Sequence, residues 1–410
     1  MTDGPAVATE DVFKRIDKSK DELVASLLDL CRVPAIGPAN GGEGEGKKAD
    51  LVRGWLKDLG LKPERFDAPD DRVPGGKRPN VVVRSGKGNR LWFLCHLDVV
   101  PPGDAPAWRV DPFKPKLMDG RVYGRGTEDN GQAVAAVLGA YRAVLDAGAT
   151  LGRSIGLAFV ADEETGSGHG AKFLLEQGLF GAKDTFLVPD RGASDGDEIE
   201  VAEKSLLWLR ATVRGKQAHA SRPDQGANAH RAGAFLLTLI DATLPKRFPG
   251  SDARFRPSTS TFEPTKKEAN VPNVNTIPGE DVAYFDCRVL PSVRTKDVVR
   301  VARELAAQTS RTFGVQATVD VVQEESSPPT PGDAAVVVEL SRVLQAVRRL
   351  RPRLVGIGGG TVAAPFRRKG FPVAVWQTTD QTAHNVDEYA RVDNLVADAK
   401  VFAALMLGRA

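Results

Sequence analysis

The run GLAFVADEETGSGHG, residues 156–170, is an apolar stretch that breaks off into three consecutive acids, Asp162, Glu163 and Glu164. Its length and composition read as a buried strand, and the Thr-Gly and Gly-rich sequence behind the acids reads as a turn. Adjacent carboxylates repel, and a strand end beside a core is a costly place to collect negative charge. Such a cluster is either solvated on an ordinary surface loop or neutralised by something cationic. Within this stretch alone, the solvated loop is the simpler reading.

Similar apolar runs recur at NVVV (80–83), LWFLCHLDVV (91–100) and TFLVP (185–189), with helical segments between or after them, notably GQAVAAVLGAYRAVLDAG (131–148) and GAKFLLEQGLF (170–180). Helical spacing also runs through 11–31 (Val12, Ile16, Leu23, Leu27, Leu30) and 47–60. Strands alternating with helices predict an α/β sheet covered on both faces, with ligands gathered beyond the strand ends. Around residue 206 the texture changes. LLWLRATVRG (206–215), the helical 229–244, STSTF (258–262), DVAYFDCRVL (281–290), the helical 295–313 and VQATVDVVQ (315–323) follow in the order βαββαβ, that of a small ferredoxin-like domain. After about 325 the α/β texture returns, with a helix over 332–350, LVGIGGG (354–360), FPVAVW (371–376) and a final helix over 391–407. The pattern predicts a domain over 206–324 inserted into another made of 1–205 and 325–410.

Length and composition set the frame. A chain of 410 residues suggests two or three domains and is ample for a real core, and 41% hydrophobic with 27% charged residues is ordinary globular protein. A net charge of +3 is too small to imply nucleic acid, and VRRLRPR (347–353) reads as a solvated helix end. Cys31, Cys95 and Cys287 are few, odd in number and widely spaced, which suggests a reducing compartment and no disulfide framework. The amino terminus lacks the apolar core of a signal peptide, and no run approaches membrane-spanning length. A cytoplasmic protein with no membrane partner is expected. There is no internal repeat.

Chemistry-bearing residues sit at the ends of these runs. In FLCHLDVVPPGD (93–104), His96 and Asp98 are two apart, so on a strand both would project from one face. That suits a metal-binding imidazole oriented by a carboxylate, and equally a hydrogen-bonded core histidine. VYGRGTEDNGQAVAAV (122–137) sets Asp129 in a Gly-rich turn ahead of a helix, where Asp is also a good cap. The glycines match neither nucleotide fingerprint, and no Lys-Ser/Thr follows. FLVPDRG (186–192) puts Asp190 at another strand end, and TAHNVDE (382–388) puts His384 in a loop before the last helix.

Taken in order, HLDVVPPGD (96–104), DPF (111–113), DGRVYGRGTEDNG (119–131), DEETGS (162–167), GKQAHASRPDQGANA (215–229), NTIPGEDVAYFDCRVLP (275–291) and GGGT (358–361) make the chain, from about residue 20 to its end, resemble the M20 family of dinuclear metal-dependent amidohydrolases. That family includes acetylornithine deacetylase, succinyl-diaminopimelate desuccinylase, aminoacylase and carnosine dipeptidases. The resemblance implies an α/β fold, with a mixed-sheet, zinc-peptidase-like catalytic domain (1–205 and 325–410) and an inserted ferredoxin-like α+β dimerisation or lid domain (206–324). It implies one divalent metal held by His96, Asp129 and Asp190 and a second by Asp129, Glu164 and His384, with Asp129 bridging through a cis peptide to Asn130. Mixed imidazole and carboxylate ligation suits Zn²⁺, with Mn²⁺ or Co²⁺ as alternatives.

By the same resemblance Glu163 is the general base, Asp98 the partner of His96, and His219 a donor to the oxyanion, contributed by the second subunit of a homodimer. Arg288 would hold a substrate carboxylate, and Asn275, Gly359, Gly360 and Thr361 would contact the substrate. The implied reaction is hydrolysis of an amide bond in an N-acyl amino acid or short peptide. His169 and His230 match no role. Gly131-Gln132 and Val362 depart from the Lys-Gly and Asp of many relatives, at positions expected near the substrate. Asp190, rather than Glu, resembles the dipeptidase and aminopeptidase members more than the carboxypeptidases. A catalytically silent small-molecule-binding protein on the same fold is the alternative, disfavoured because no ligand and no base is missing. A nucleotide-binding protein using GIGGG (356–360) lacks a suitable fingerprint.

Overall fold

A computed structural model of the chain describes residues 9–408. Residues 1–8 and 409–410 lie outside the described residues, and with them the start of the segment read above for a targeting signal. The chain divides into two compact units. One comprises the chain up to Val201, Thr330–Leu354 and the chain from Thr361; the other comprises Ala202–Pro329 and Val355–Gly360.

The larger unit is built on a mixed sheet. Among the described residues the strands that lie wholly within it run in the order Glu64–Pro69, Lys77–Ser85, Ser154–Val160, Arg90–His96, Thr185–Val188 and Val373–Val375. Arg90–His96 pairs in parallel with Ser154–Val160 on one side and Thr185–Val188 on the other, and Val373–Val375 is parallel to Thr185–Val188. The alternation of a strand explains how both faces are buried. Leu91, Phe93 and Cys95 join one apolar cluster with Ile155, Leu157 and Phe159, whereas Trp92 and Leu94 join another with Ala158 and Val160. The first cluster is roofed by the helices Gln132–Asp146 and Val392–Leu407, the second by Ala171–Glu176 and Ala363–Arg368. Truncating a fully buried ring such as Phe93 to Ala would cost about 3–5 kcal/mol. Gly156 is required because a Cβ there would lie 2.2 Å from the Trp92 ring.

The sequence expected one helix over 11–31; the structure has two, Thr9–Lys18 and Lys20–Arg32, interrupted at Ser19, whose hydroxyl donates to the Arg15 carbonyl (3.0 Å). The strands Lys116–Met118, Arg121–Tyr123 and Tyr389–Arg391 form a small separate sheet that had no signal in the pattern, each being too short to show periodicity. No helix among the described residues is long and apolar enough to cross a membrane. Cys31, Cys95 and Cys287 are free and buried.

The smaller unit carries an antiparallel sheet in the order Thr261–Lys267, Glu280–Val289, Ser205–Arg214, Gln316–Glu325, with the helices Ala229–Arg247 and Thr295–Phe313 packed on one apolar cluster. The order βαββαβ and this strand arrangement are ferredoxin-like. The strand expected at 258–262 begins instead at Thr261 and runs to Lys267; ahead of it Thr259 bridges Ser251, and the Leu290 N–H donates to the Ser260 hydroxyl (3.0 Å). The expected inserted segment, 206–324, differs from the compact division most at 355–360, which packs in this unit. Lys204 N–H donates to the Ile357 carbonyl (2.8 Å) and Gly356 N–H to the Arg254 carbonyl (2.9 Å). A Gly-rich segment has no apolar periodicity that could reveal such packing.

Candidate active site

Parallel strands put their carboxyl ends at one edge of the sheet. His96 ends its strand opposite Val160, after which come Asp162, Glu163 and Glu164, and Asp190 follows the neighbouring strand Thr185–Val188. Two loops complete the cluster. One is the turn 127–131, in which the Asp129–Asn130 peptide is cis; the other carries His384 in a left-handed backbone conformation (φ 65°). The turn needs Gly131, since a Cβ there would lie 2.4 Å from the Gly126 carbonyl oxygen.

These residues form two donor sets that share one carboxylate. His96, Asp129 and Asp190 offer ligand atoms within 4.8 Å of one another, as do Asp129, Glu164 and His384. The Nε2 atom of His96 is 2.6 Å from Asp129 Oδ1 and 3.3 Å from Asp190 Oδ1. The other oxygen of Asp129, Oδ2, is 3.2 Å from His384 Nε2, which is also 3.2 Å from Glu164. Each oxygen of Asp129 therefore faces a different set. Asn130 donates to the Pro189 carbonyl (2.6 Å) and to Asp190 Oδ1 (3.2 Å), tying the turn to the Asp190 strand end.

Charge dominates the site. Burial, together with the charges of Asp190, Glu164 and Asp129, pushes Glu163 well above the usual carboxylate range, against an opposing pull from His96. Burial and the Asp129 charge also raise Glu164. Burial works against the charged form of Asp129, but the two imidazoles outweigh it and hold Asp129 low. His384 is raised to about 10 by its hydrogen bonds to Asp129 and Glu164. Burial lowers the pKa of His96, yet the surrounding carboxylates lift it well above its ordinary value. Four carboxylates facing two imidazoles ask for positive charge, and imidazole with carboxylate is a donor chemistry that divalent cations take. The residues present fit such cations.

The three consecutive acids have three different environments. Asp162 is paired inside the protein, accepting from the Arg78 guanidinium (2.7 Å) and from the backbone (3.0 Å) and ring (2.9 Å) of His169. Glu164 belongs to a donor set. Among the described residues the Glu163 carboxylate makes no hydrogen bond or ion pair. For Asp162 the neutralising charge is therefore the Arg78 guanidinium, not a cation at the donor sets.

Asp98 also differs from expectation. The strand stops at His96, so the alternation of a strand does not extend to Asp98. The Nδ1 atom of His96 is 3.0 Å from the main-chain carbonyl of Asp98 and 3.6 Å from its carboxylate. The carboxylate accepts instead from the backbone N–H groups of Glu163 and Glu164, at 3.0 Å each. A carbonyl accepting at Nδ1 requires N–H there and leaves the Nε2 lone pair for a ligand role.

Of the departures expected near the substrate, Gln132 and Val362 are core residues. Gln132 is buried, donating to the Thr378 carbonyl (2.9 Å) and to Asp398 (3.0 Å), and Val362 is buried in the second apolar cluster. Two acids that the sequence left unassigned, Glu128 and Glu388, are buried beside the donor sets. Both stand inside quoted motifs, but nothing in a sequence separates them from surface acids.

In the smaller unit, His219 and Asn275 lie together. Ala218–His219 pairs with Thr276–Ile277, and the Asn275 carbonyl accepts from Ala220 N–H (2.9 Å). His219 is exposed, and its Nδ1 accepts from the Ser221 N–H (3.1 Å). Arg288 holds Asp286 with two nitrogens (2.6 and 3.0 Å) and the Gly358 carbonyl with a third (2.8 Å). No Cβ placed at Gly359 or Gly360 would meet an atom within 4 Å, and in the larger unit the Thr361 hydroxyl accepts from Ala363 N–H (3.1 Å). His230 pairs with the buried Asp281 (2.9 Å).

Comparison with known proteins fits this geometry. Residues 92–408 match the model of peptidase family M20/M25/M40. The chain is 33% identical to an uncharacterised metallohydrolase of Methanocaldococcus jannaschii over 401 residues, covering 93% of this chain and 98% of the relative. It is 31% identical to a succinyl-diaminopimelate desuccinylase of Gluconacetobacter diazotrophicus, covering 92% and 94%. Among solved structures, the aminopeptidase PepT of Bacillus cereus shares the fold with a TM-score of 0.76 at 21% identity, over 95% of this chain and 98% of that one. The chain belongs to peptidase family M20/M25/M40 and is a metallohydrolase of peptide or amide bonds.

Proposed function

From this family membership we propose that the chain hydrolyses the amide bond of an N-acyl amino acid or short peptide, with Glu163 as the general base. The observation that carries the reading is the unpaired Glu163 carboxylate beside two donor sets that share Asp129. His96, Asp129 and Asp190 would hold one divalent cation, and Asp129, Glu164 and His384 a second, most simply Zn²⁺, with Mn²⁺ or Co²⁺ as alternatives. Such a pair, when bound, polarises the scissile carbonyl and makes a water more acidic.

The chain's own residues supply the proton path. Glu163 takes the proton of the attacking water as its oxygen bonds to the carbonyl carbon, then delivers a proton to the nitrogen as the C–N bond breaks. Asp98 positions Glu163 and Glu164 through their backbone N–H groups. His219 would donate to the oxyanion across a homodimer; with Nδ1 accepting from Ser221, its proton sits on Nε2. We assign the dimerisation role to the inserted region, expected over 206–324. Substrate contacts fall to Asn275, Gly359, Gly360, Thr361 and Arg288, which would exchange Asp286 for a substrate carboxylate. The three free cysteines support the cytoplasmic location expected from the sequence.

The test is release of free amine from a panel of N-acyl amino acids and dipeptides, using protein reconstituted with Zn²⁺, Mn²⁺ or Co²⁺. Binding without turnover across the panel would favour a silent binding protein instead.

A further inference from the structure

The proposed reaction uses neither Glu128 nor Glu388, yet both are buried between the two loops that carry Asp129 and His384. Glu128 precedes Asp129 in the chain, but its carboxylate reaches across to the other loop. It accepts from the N–H of Asp380 (2.6 Å), from the N–H and hydroxyl of Thr382, and from the N–H of Ala383 (3.0 Å). Glu388 follows His384 and reaches the opposite way. It accepts from the N–H groups of Gly126 (3.0 Å), Glu128 (2.9 Å) and Asp129 (3.1 Å), and from the Arg125 guanidinium (2.6 Å).

Burying a carboxylate is costly unless its oxygens are filled, and each of these is filled by the opposite loop. The donors to Glu128 come from the residues immediately ahead of His384, whose left-handed backbone needs support from its surroundings. The donors to Glu388 include the amide of Asp129 itself. We propose that Glu128 and Glu388 form a reciprocal clamp that fixes Asp129 and His384 relative to one another, so that both acids are positioning residues for the cation site made by Asp129, Glu164 and His384. The inference rests on the reading that this set holds a cation.

The two acids have separable effects. Replacing Glu128 by Gln turns an amide NH₂ toward backbone N–H groups and loosens the loop of His384 alone. Replacing Glu388 by Gln loosens Asp129, which both sets share.

Metal-stripped full-length protein is titrated with Zn²⁺ against a competing chelator. Glu128→Gln should weaken one of two sites by about 10–100-fold, the usual range for groups that orient ligands, and leave the other unchanged. In a His384→Ala background, Glu128→Gln should have no further effect on the remaining site, whereas Glu388→Gln should still weaken it. A merely structural role would not give that selectivity. If Glu128→Gln fails to fold, Glu128→Asp keeps the charge but shortens the reach and should show the same selective loss. Equal Zn²⁺ affinity in all variants, or loss from Glu128→Gln that persists in the His384→Ala background, would overturn the clamp alone. Failure of the unmodified protein to bind Zn²⁺ would overturn the metal-centre reading with it.

Discussion

The His96 ring points Nδ1 at the main-chain carbonyl of Asp98 (3.0 Å), while the Asp98 carboxylate turns away to the backbone of Glu163 and Glu164 (3.0 Å each). The acid therefore supports the base and a ligand of the second set more directly than it supports His96. Asp98→Asn leaves one acceptor oxygen and sets an NH₂ against an N–H. It should lower kcat by about 10–100-fold with little change in Zn²⁺ affinity at the His96 set. An affinity loss as large as the kcat loss would return the carboxylate to the role of orienting His96.

Glu163 and Glu164 are neighbours with different tasks. Glu163→Gln should keep both metals and lose about 10²–10⁴-fold in turnover, the usual contribution of a general base. Glu164→Ala should weaken the set with His384 instead. Metal content by elemental analysis, measured beside kcat, separates the two; equal metal loss in both folded variants would contradict the assignment.

Removing divalent metal by chelation should abolish hydrolysis, and Zn²⁺, Mn²⁺ or Co²⁺ should restore it. It should also lower the melting temperature, since ligands that bind only the folded state stabilise it by mass action. A protein fully active after exhaustive chelation would be incompatible with two cation sites.

His219→Ala should bind metal normally and lose about 10²–10³-fold in turnover, the cost of an oxyanion donor in a well-studied protease. If His219 serves the partner's site, mixing His219→Ala with Glu163→Ala subunits gives each mixed dimer one intact site, and activity returns. Confirmed subunit exchange without recovery would exclude that role.

Asp398 gives a pH test away from the donor sets. Burial pushes it up to about 6 from an ordinary 3.8, against hydrogen bonds from Thr378 and Gln132 and the charge of Arg348. Between those values the folded chain keeps a proton that the unfolded chain releases, so this group's contribution to stability falls as pH rises through the window. Asp398→Asn has no such proton to lose. From pH 4 to 7 its stability relative to the unmodified protein should improve by about 2 kcal/mol, at up to about 1.4 kcal/mol per pH unit inside the window. Parallel denaturant titrations of both proteins measure the gap; a gap that stays constant with pH would show that Asp398 is not raised.

Much of the fold was legible because local sequence carries it. Alternation at Leu91, Trp92, Phe93 and Leu94 marks a strand buried on both faces, and the acids behind Val160 and Val188 mark strand ends without knowledge of the neighbours. The motifs carrying His96, Asp129, Glu164, Asp190 and His384 were likewise readable in order. The split at Ser19, the short strands and the packing of 355–360 were not, because they arise from single hydrogen bonds or from segments too short or too Gly-rich for periodicity.

The sequence by itself determined an α/β scaffold with an inserted ferredoxin-like domain, and which residue types stand at the strand ends. Only the tertiary structure decided that Asp129 turns one oxygen to each donor set, that Asp162 belongs to Arg78, that Gln132 and Val362 are core residues, and that Glu128 grips the loop of His384. Periodicity and turn chemistry act between residues a few positions apart, so a linear reading recovers them. Glu128 and Thr382 are 254 positions apart, and whether their atoms meet depends on backbone angles summed over the whole chain between them.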